Sequence, residues 1–185
     1  MEYRDFTEAD TEYYIRDYNK YLNEGVLTED KVRKALAKGD YFGSIAVENG
    51  QIAGYFTFID GIVFTYPHKI LLEKVKSAAG SRHINTADSL LVIPEFRGRG
   101  VATGLAERNK RILKKRGQEL FLTEIWIYPD GRCPAKGVYD GMGKVVWSET
   151  IPLFYSEAQK YGISCPLCGK NCRCGAYIQV IDVKE

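Results

Sequence analysis

No stretch of the chain is apolar for long enough to cross a bilayer, which takes about 20 residues. The opening run Met1-Glu2-Tyr3-Arg4-Asp5-Phe6 lacks the basic and apolar regions of a signal peptide. Charge of one sign is scarce as well: 26 Lys and Arg against 24 Asp and Glu leave a formal net charge of +2. That balance sets up no strong field for nucleic acid or a membrane surface. No low-complexity tract or repeat of useful period is present. A cytoplasmic protein with neither membrane nor nucleic-acid partner is expected. Its 185 residues suffice for one good core, or for one core with a small appendage.

What is present is concentrated in residues 84–116. Asp88-Ser89-Leu90-Leu91-Val92-Ile93 is apolar on both faces, as in a buried strand, with Asp88, Leu90 and Val92 on one face and Ser89, Leu91 and Ile93 on the other. Pro94 removes a ladder donor and ends the strand. Val101, Leu105, Ile112 and Leu113 recur at helical spacing, and Gly117 stops that helix. Between strand and helix lies Arg97-Gly98-Arg99-Gly100. A helix begins with several unpartnered N–H groups and the positive end of its dipole. Glycines leave those amides open to a ligand, and arginines add forked donors. Strand, glycine–arginine loop and helix together suggest a pyrophosphate cradle. An ordinary strand-to-helix turn with solvated arginines is the alternative.

The run from Val92 to Ala102 resembles the coenzyme A signature of the GNAT superfamily of N-acetyltransferases, with Arg97, Gly100 and Ala102 at its fixed places and the strand ending in Val-x-Pro. The resemblance implies an α+β fold: a mixed, mostly antiparallel central sheet flanked by helices. It also implies that Leu91, Val92, Ile93, Arg97, Gly98, Arg99, Gly100, Val101 and Ala102 bind acetyl-CoA. A domain over residues 1–160 is expected, with a cysteine-rich tail at 161–185 packed on it.

The rest of the chain follows the same order. Residues 2–6 read as a short strand. Thr7 caps a helix carrying Tyr14, Ile15, Tyr18, Tyr21 and Leu22, closed by Gly25. Thr28 starts a second helix with Val32, Ala35 and Leu36 inward, stopped at Gly39. In the GNAT fold these helices border the acceptor site, so the tyrosines line a pocket or form a plain core stripe. Tyr41–Glu48 and Gln51–Ile59 read as a hairpin around Asn49-Gly50. Residues 62–83 read as an insertion over the cleft, with a helix through Ile70, Leu71, Lys74 and Val75. Glu119–Tyr128 reads as a strand which, in GNAT proteins, splays from its predecessor to admit the thioester. Ala135, Val138, Tyr139 and Gly143 match a second family motif, but Arg132 stands where the family has asparagine and Lys144 where it has phenylalanine. Lys144–Tyr155 reads as further strand, broken at Pro152. Ser156–Tyr161 reads as a short helix.

Four of the five cysteines, Cys165, Cys168, Cys172 and Cys174, fall within ten residues. Cys165-Pro-Leu-Cys168-Gly169 has zinc-knuckle spacing, and four thiolates suit a closed, structural zinc site. Reduced thiols in a folded tail are the alternative; the spacing matches no common ferredoxin pattern. Ala176–Val183 follows as an apolar strand. Cys133 is given no role.

The resemblance implies transfer of an acetyl group to a primary amine by direct attack. Tyr139 stands at the family's general-acid position. A backbone N–H near Val92 is expected to polarise the carbonyl. The base is Glu124 or Asp88, since a carboxylate in an apolar strand is costly without a task or partner. The acceptor is open, small molecule or peptide, and an oligomer is also open. A non-catalytic coenzyme A-binding module, or a zinc-stabilised protein-interaction module, is the competing reading.

Overall fold

The computed structural model describes residues 1–23, 26–165, 167–169 and 171–184. Seven strands form one sheet in the order β1-β2-β3-β4-β5-β7-β6. β1 (Glu2–Asp5), β2 (Tyr41–Glu48), β3 (Gln51–Asp60) and β4 (Ile84–Val92) form an antiparallel meander. β5 (Leu120–Ile127) lies parallel to β4. β7 (Gly175–Asp182) and β6 (Lys144–Ile151) extend the sheet antiparallel. The α+β architecture is therefore mixed and mostly antiparallel, as expected.

The helices are α1 (Thr11–Tyr21), α2 (Glu29–Lys38), α3 (Lys69–Ala79), α4 (Val101–Lys115), α5 (Lys136–Asp140) and α6 (Phe154–Ala158). Local chemistry explains their ends. The Thr28 hydroxyl accepts the Lys31 N–H at 3.4 Å, and left-handed Gly39 stops α2. Asn49 and Gly50 both have positive φ, 51° and 76°, which fits the tight hairpin turn between β2 and β3. Gly25, expected to close α1, lies outside the described residues. None of the described helices is long and apolar enough to span a membrane.

Both faces of the sheet are covered. α4 and α5 lie on one face, over Phe56, Phe58, Leu105, Phe121 and Tyr139. α1 and α2 cover the first half of the opposite face, where Tyr14, Ile45, Tyr55 and Leu91 are buried. α3, α6 and the cysteines cover its second half, over Leu71, Val75, Leu122, Phe154 and Ile178.

Three local expectations are corrected. Ser89 pairs with Thr57 and Ala87 with Phe58, so Asp88 is the extra residue of a β-bulge. The bulge resets the alternation, and Asp88 joins Ser89 in bonding the α1 side rather than sharing the face of Leu90 and Val92. Strand β6 ends at Ile151, because Pro152 cannot donate to the ladder and Leu153 turns left-handed, φ 59°. The following residues start α6 instead of continuing a strand to Tyr155. Finally, β7 runs between β5 and β6, so the chain after the cysteines is built into the sheet itself.

Candidate active site

β4 and β5 pair only from Ile84 to Thr86 on one strand and Leu120 to Leu122 on the other. Beyond that they part. A cavity of about 480 Å³ occupies the gap and passes through the sheet. On the α4 side Val92, Arg97, Ala102, Ala135, Val138 and Tyr139 line it. On the α1 side the wall is mostly aromatic and aliphatic, with Tyr18, Leu22, Leu27, Phe64, Trp126 and Tyr155. Asp88 and Glu124 sit at the waist, one on each parting strand.

The backbone of β4 is open to this gap. Ile93 donates its N–H to Ala53 of β3 at 3.0 Å. Antiparallel alternation then turns the N–H groups of Val92 and Leu90 away from β3, toward the space β5 has vacated. The Val92 carbonyl is already taken by Arg97 Nε at 3.1 Å.

The loop after β4 shapes an anion site. Gly98 and Gly100 have φ of 71° and 76°, a backbone that other residues adopt with strain. A Cβ at either position would meet nothing within 4 Å. These glycines therefore serve the turn, and the space before them is free. No side chain caps α4, which leaves its first-turn amides for a ligand. The two arginines diverge. Arg97 lines the cavity, whereas Arg99 pairs with Glu48 and stacks on Phe96 at 5.3 Å. Of the other expected coenzyme residues, Leu91, Val92 and Ala102 line the cavity. Ile93 packs toward α1, and Val101 is buried at the start of α4. Arg99, also expected at the coenzyme, is held by Glu48 in this structure.

The carboxylates differ in their surroundings. Glu124 accepts the Thr65 N–H at 2.9 Å and the Thr65 hydroxyl at 2.5 Å. Burial pushes its carboxyl up to about 7; the Thr65 donors oppose this, and the Asp88 charge adds to it. Asp88 Oδ2 accepts from Tyr41 at 2.5 Å and from Tyr14 at 3.1 Å. Burial raises the Asp88 carboxyl too, against the pull of those two hydroxyls. Tyr14 is wholly buried and also meets Ser89 Oγ at 2.8 Å and Thr57 Oγ1 at 3.2 Å. Tyr139 packs edge-on against Phe56, ring centroids 5.5 Å apart, with its phenol held well above the ordinary range by burial and by Asp88. Among the described residues nothing hydrogen-bonds the Tyr139 hydroxyl.

Three contacts to these carboxylates went unseen in the sequence. Thr65, which holds Glu124, lies in the 62–83 segment, whose spacing carries no motif. Tyr41 and Tyr14 hold Asp88 from β2 and α1. The only sequence signal for them is general: a carboxylate in an apolar strand needs donors. Of the α1 tyrosines, Tyr18 and Tyr21 line the cavity and Tyr14 is core. Both histidines stand apart, His68 accepting the Leu71 N–H at the start of α3 and His83 beside Asp60. Arg132, in place of the family asparagine, is tied to Asp130 at 2.7 Å. Gly143 abuts β7: a Cβ there would lie 2.0 Å from the Asp182 carbonyl oxygen.

The sulfurs of Cys165, Cys168, Cys172 and Cys174 all lie within 4.8 Å of one another. Cys174 Sγ is 3.9 Å from that of Cys165 and 3.6 Å from that of Cys168. A tetrahedral zinc with Zn–S of about 2.3 Å sets its sulfurs about 3.8 Å apart, so the set fits that ion. The Cys174 N–H points to Cys172 Sγ at 3.3 Å, and left-handed Gly169 returns its N–H to the Cys165 carbonyl at 2.8 Å. Pro166, inside the first pair, lies outside the described residues.

The sequence matches the acetyltransferase (GNAT) family over residues 3–143. No curated protein matches the chain. Among solved structures, yncA, a putative acetyltransferase from Salmonella typhimurium solved with acetyl-CoA, superposes with a TM-score of 0.67 at 17% identity, covering 100% of this chain and 95% of that one. NAA60 from Arabidopsis thaliana in complex with acetyl-CoA gives a TM-score of 0.65 at 15% identity, covering 99% and 98%. A ribosomal-protein-alanine N-acetyltransferase from Brucella melitensis gives 0.64 at 16% identity, covering 98% and 99%.

Proposed function

Because this chain belongs to the GNAT acetyltransferase family, we propose that it moves an acetyl group from acetyl-CoA to a primary amine by direct attack, with both substrates bound. The observation that carries this reading is the parted β4–β5 pair: an open helix N-terminus flanks the gap on one face, and two enclosed carboxylates stand at its waist.

Bound acetyl-CoA supplies an activated thioester carbonyl. The first-turn amides of α4 and the Arg97 guanidinium hold its diphosphate. The Val92 N–H donates to the carbonyl oxygen as that atom gains charge, which costs little reorganisation because the strand is already rigid. Glu124 takes a proton from the amine; a carboxyl near 7 can both accept and release it at neutral pH. The amine nitrogen bonds to the carbonyl carbon, the C–S bond breaks, and Tyr139 gives its proton to the departing sulfur. Asp88, fixed by Tyr41 and Tyr14, keeps a negative charge beside the incoming ammonium. Glu124 rather than Asp88 is assigned as base because its carboxyl lies near 7.

The four clustered cysteines hold a structural zinc, supported by their mutual spacing and by the inward Cys174 N–H. The ion cross-links the segment that leads into β7. Five cysteines with no disulfide among the described residues suit a reducing compartment, the cytoplasm.

Release of free thiol from acetyl-CoA in the presence of an amine panel tests the reaction. Tyr139→Phe should lower kcat by about 10²-fold or more and leave the thermal shift with acetyl-CoA unchanged. An unaltered kcat would remove Tyr139 from the mechanism; no thermal shift with acetyl-CoA in the unmodified protein would overturn the reading.

A further inference from the structure

The charge pattern of the cavity narrows the acceptor. Among the described residues, three charged ones line it: Arg97, Asp88 and Glu124. Arg97 stands at the coenzyme end, bonded to Val92 at the close of β4. The half beyond the two carboxylates has no cationic side chain among its described lining residues. Its wall is aromatic and aliphatic: Tyr18 and Leu22 from α1, Leu27 before α2, Phe64 from the crossing loop, and Trp126 with Tyr155, whose rings meet edge-on at 5.1 Å. A volume of about 480 Å³, shared with the thioester arm, falls in the range of about 300–1,000 Å³ typical of small-molecule pockets.

Resting on the transferase reading above, we propose that the acceptor is a compact primary amine on an apolar or aromatic body, carrying no carboxylate or phosphate. The ammonium is drawn to Asp88 and Glu124 at the waist, and the apolar body fills the space between Phe64, Trp126 and Tyr155. A carboxylate on the same molecule would enter a site already bearing two carboxylates, with no arginine or lysine among the described residues of that half to meet it. Like-charge juxtaposition of that kind is an effective means of rejection. A second ammonium, as on a polyamine, would be buried against the apolar wall, far from either carboxylate. The donors that fix the carboxylates, Thr65, Tyr41 and Tyr14, hold the reaction centre independently of what the far wall contacts.

The test compares 2-phenylethylamine, phenylalanine, spermidine and an Ala-initiated tetrapeptide as acceptors for the full chain. Initial rates of thiol release are read with acetyl-CoA saturating, and products are identified by mass. The kcat/KM for 2-phenylethylamine should exceed those for phenylalanine and spermidine by at least about 100-fold. Preference for phenylalanine, spermidine or the tetrapeptide would overturn the acceptor class and leave the transferase reading standing. So would turnover of none of the four by protein that still binds acetyl-CoA, measured by its thermal shift. Failure to bind acetyl-CoA would overturn both.

Discussion

Glu124, the proposed base, links activity to stability. Its folded pKa of about 7 lies above the ordinary 4.5, so the native protein keeps a proton that the unfolded chain loses between those values. Stability therefore falls as pH rises from about 4.5 to about 7, by about 3 kcal/mol in all. Glu124→Gln removes that loss. Its melting temperature should match the unmodified protein near pH 4.5 and exceed it at pH 8, while kcat drops by about 10²-fold or more. A rate profile that rises through about pH 7, and disappears in the variant, would assign the base; a flat profile would refute it. The two loop arginines separate in the same manner. Arg97→Ala should weaken acetyl-CoA binding by about tenfold or more, since a charged hydrogen bond is worth about 1.5–3 kcal/mol. Arg99→Ala should change it little, because Glu48 already holds that side chain. Equal losses in isothermal titration would contradict this assignment. From sequence the two residues look alike; only the position of Glu48 on β2 tells them apart.

At the scale of elements, what periodicity encodes was readable and what long-range pairing encodes was not. The caps of α2, the Asn49-Gly50 turn, the alternation of β5 and the Leu71/Val75 face of α3 follow from local chemistry, and each stands where the spacing puts it. The bulge at Asp88 depends on how β3 pairs with β4, and no local signal in β4 announces it. The 62–83 segment reads as an insertion, yet its Thr65 meets Glu124 across 59 residues. Likewise Gly143 fits a family motif by spacing, but its physical reason lies in β7. Gly143→Ala would set a methyl group against the Asp182 carbonyl, which cannot move without breaking its pairing with Lys144. That variant should lose about 1–3 kcal/mol in urea unfolding, with the KM for acetyl-CoA unchanged in the folded fraction. A large rise in KM instead would mean that this glycine serves the coenzyme directly.

For the molecule as a whole, the cysteine cluster bears on the active site because of where its strand goes. Read along the chain, residues 161–185 look like an appendage to a finished domain. In space, β7 pairs with β5 along all of Leu120–Ile127 and supplies the only ladder that joins β6 to the sheet among the described strands. Ile178 lies opposite Glu124 itself, and the Tyr155 N–H donates to the Cys174 carbonyl at 3.2 Å. Loosening the cysteines would thus release one wall of the cavity and the strand that backs Glu124. Structural zinc can contribute on the order of 10 kcal/mol to a small module, comparable to the whole stability of a domain. The purified protein should carry one zinc per chain by elemental analysis. Stripping it with a strong chelator should lower the melting temperature by about 10 °C or more, in one transition, and abolish acetyl transfer as it does so. Two separate calorimetric transitions, with transfer surviving the first, would show that the tail folds apart from the site and that β7 needs no metal to hold β5 in place.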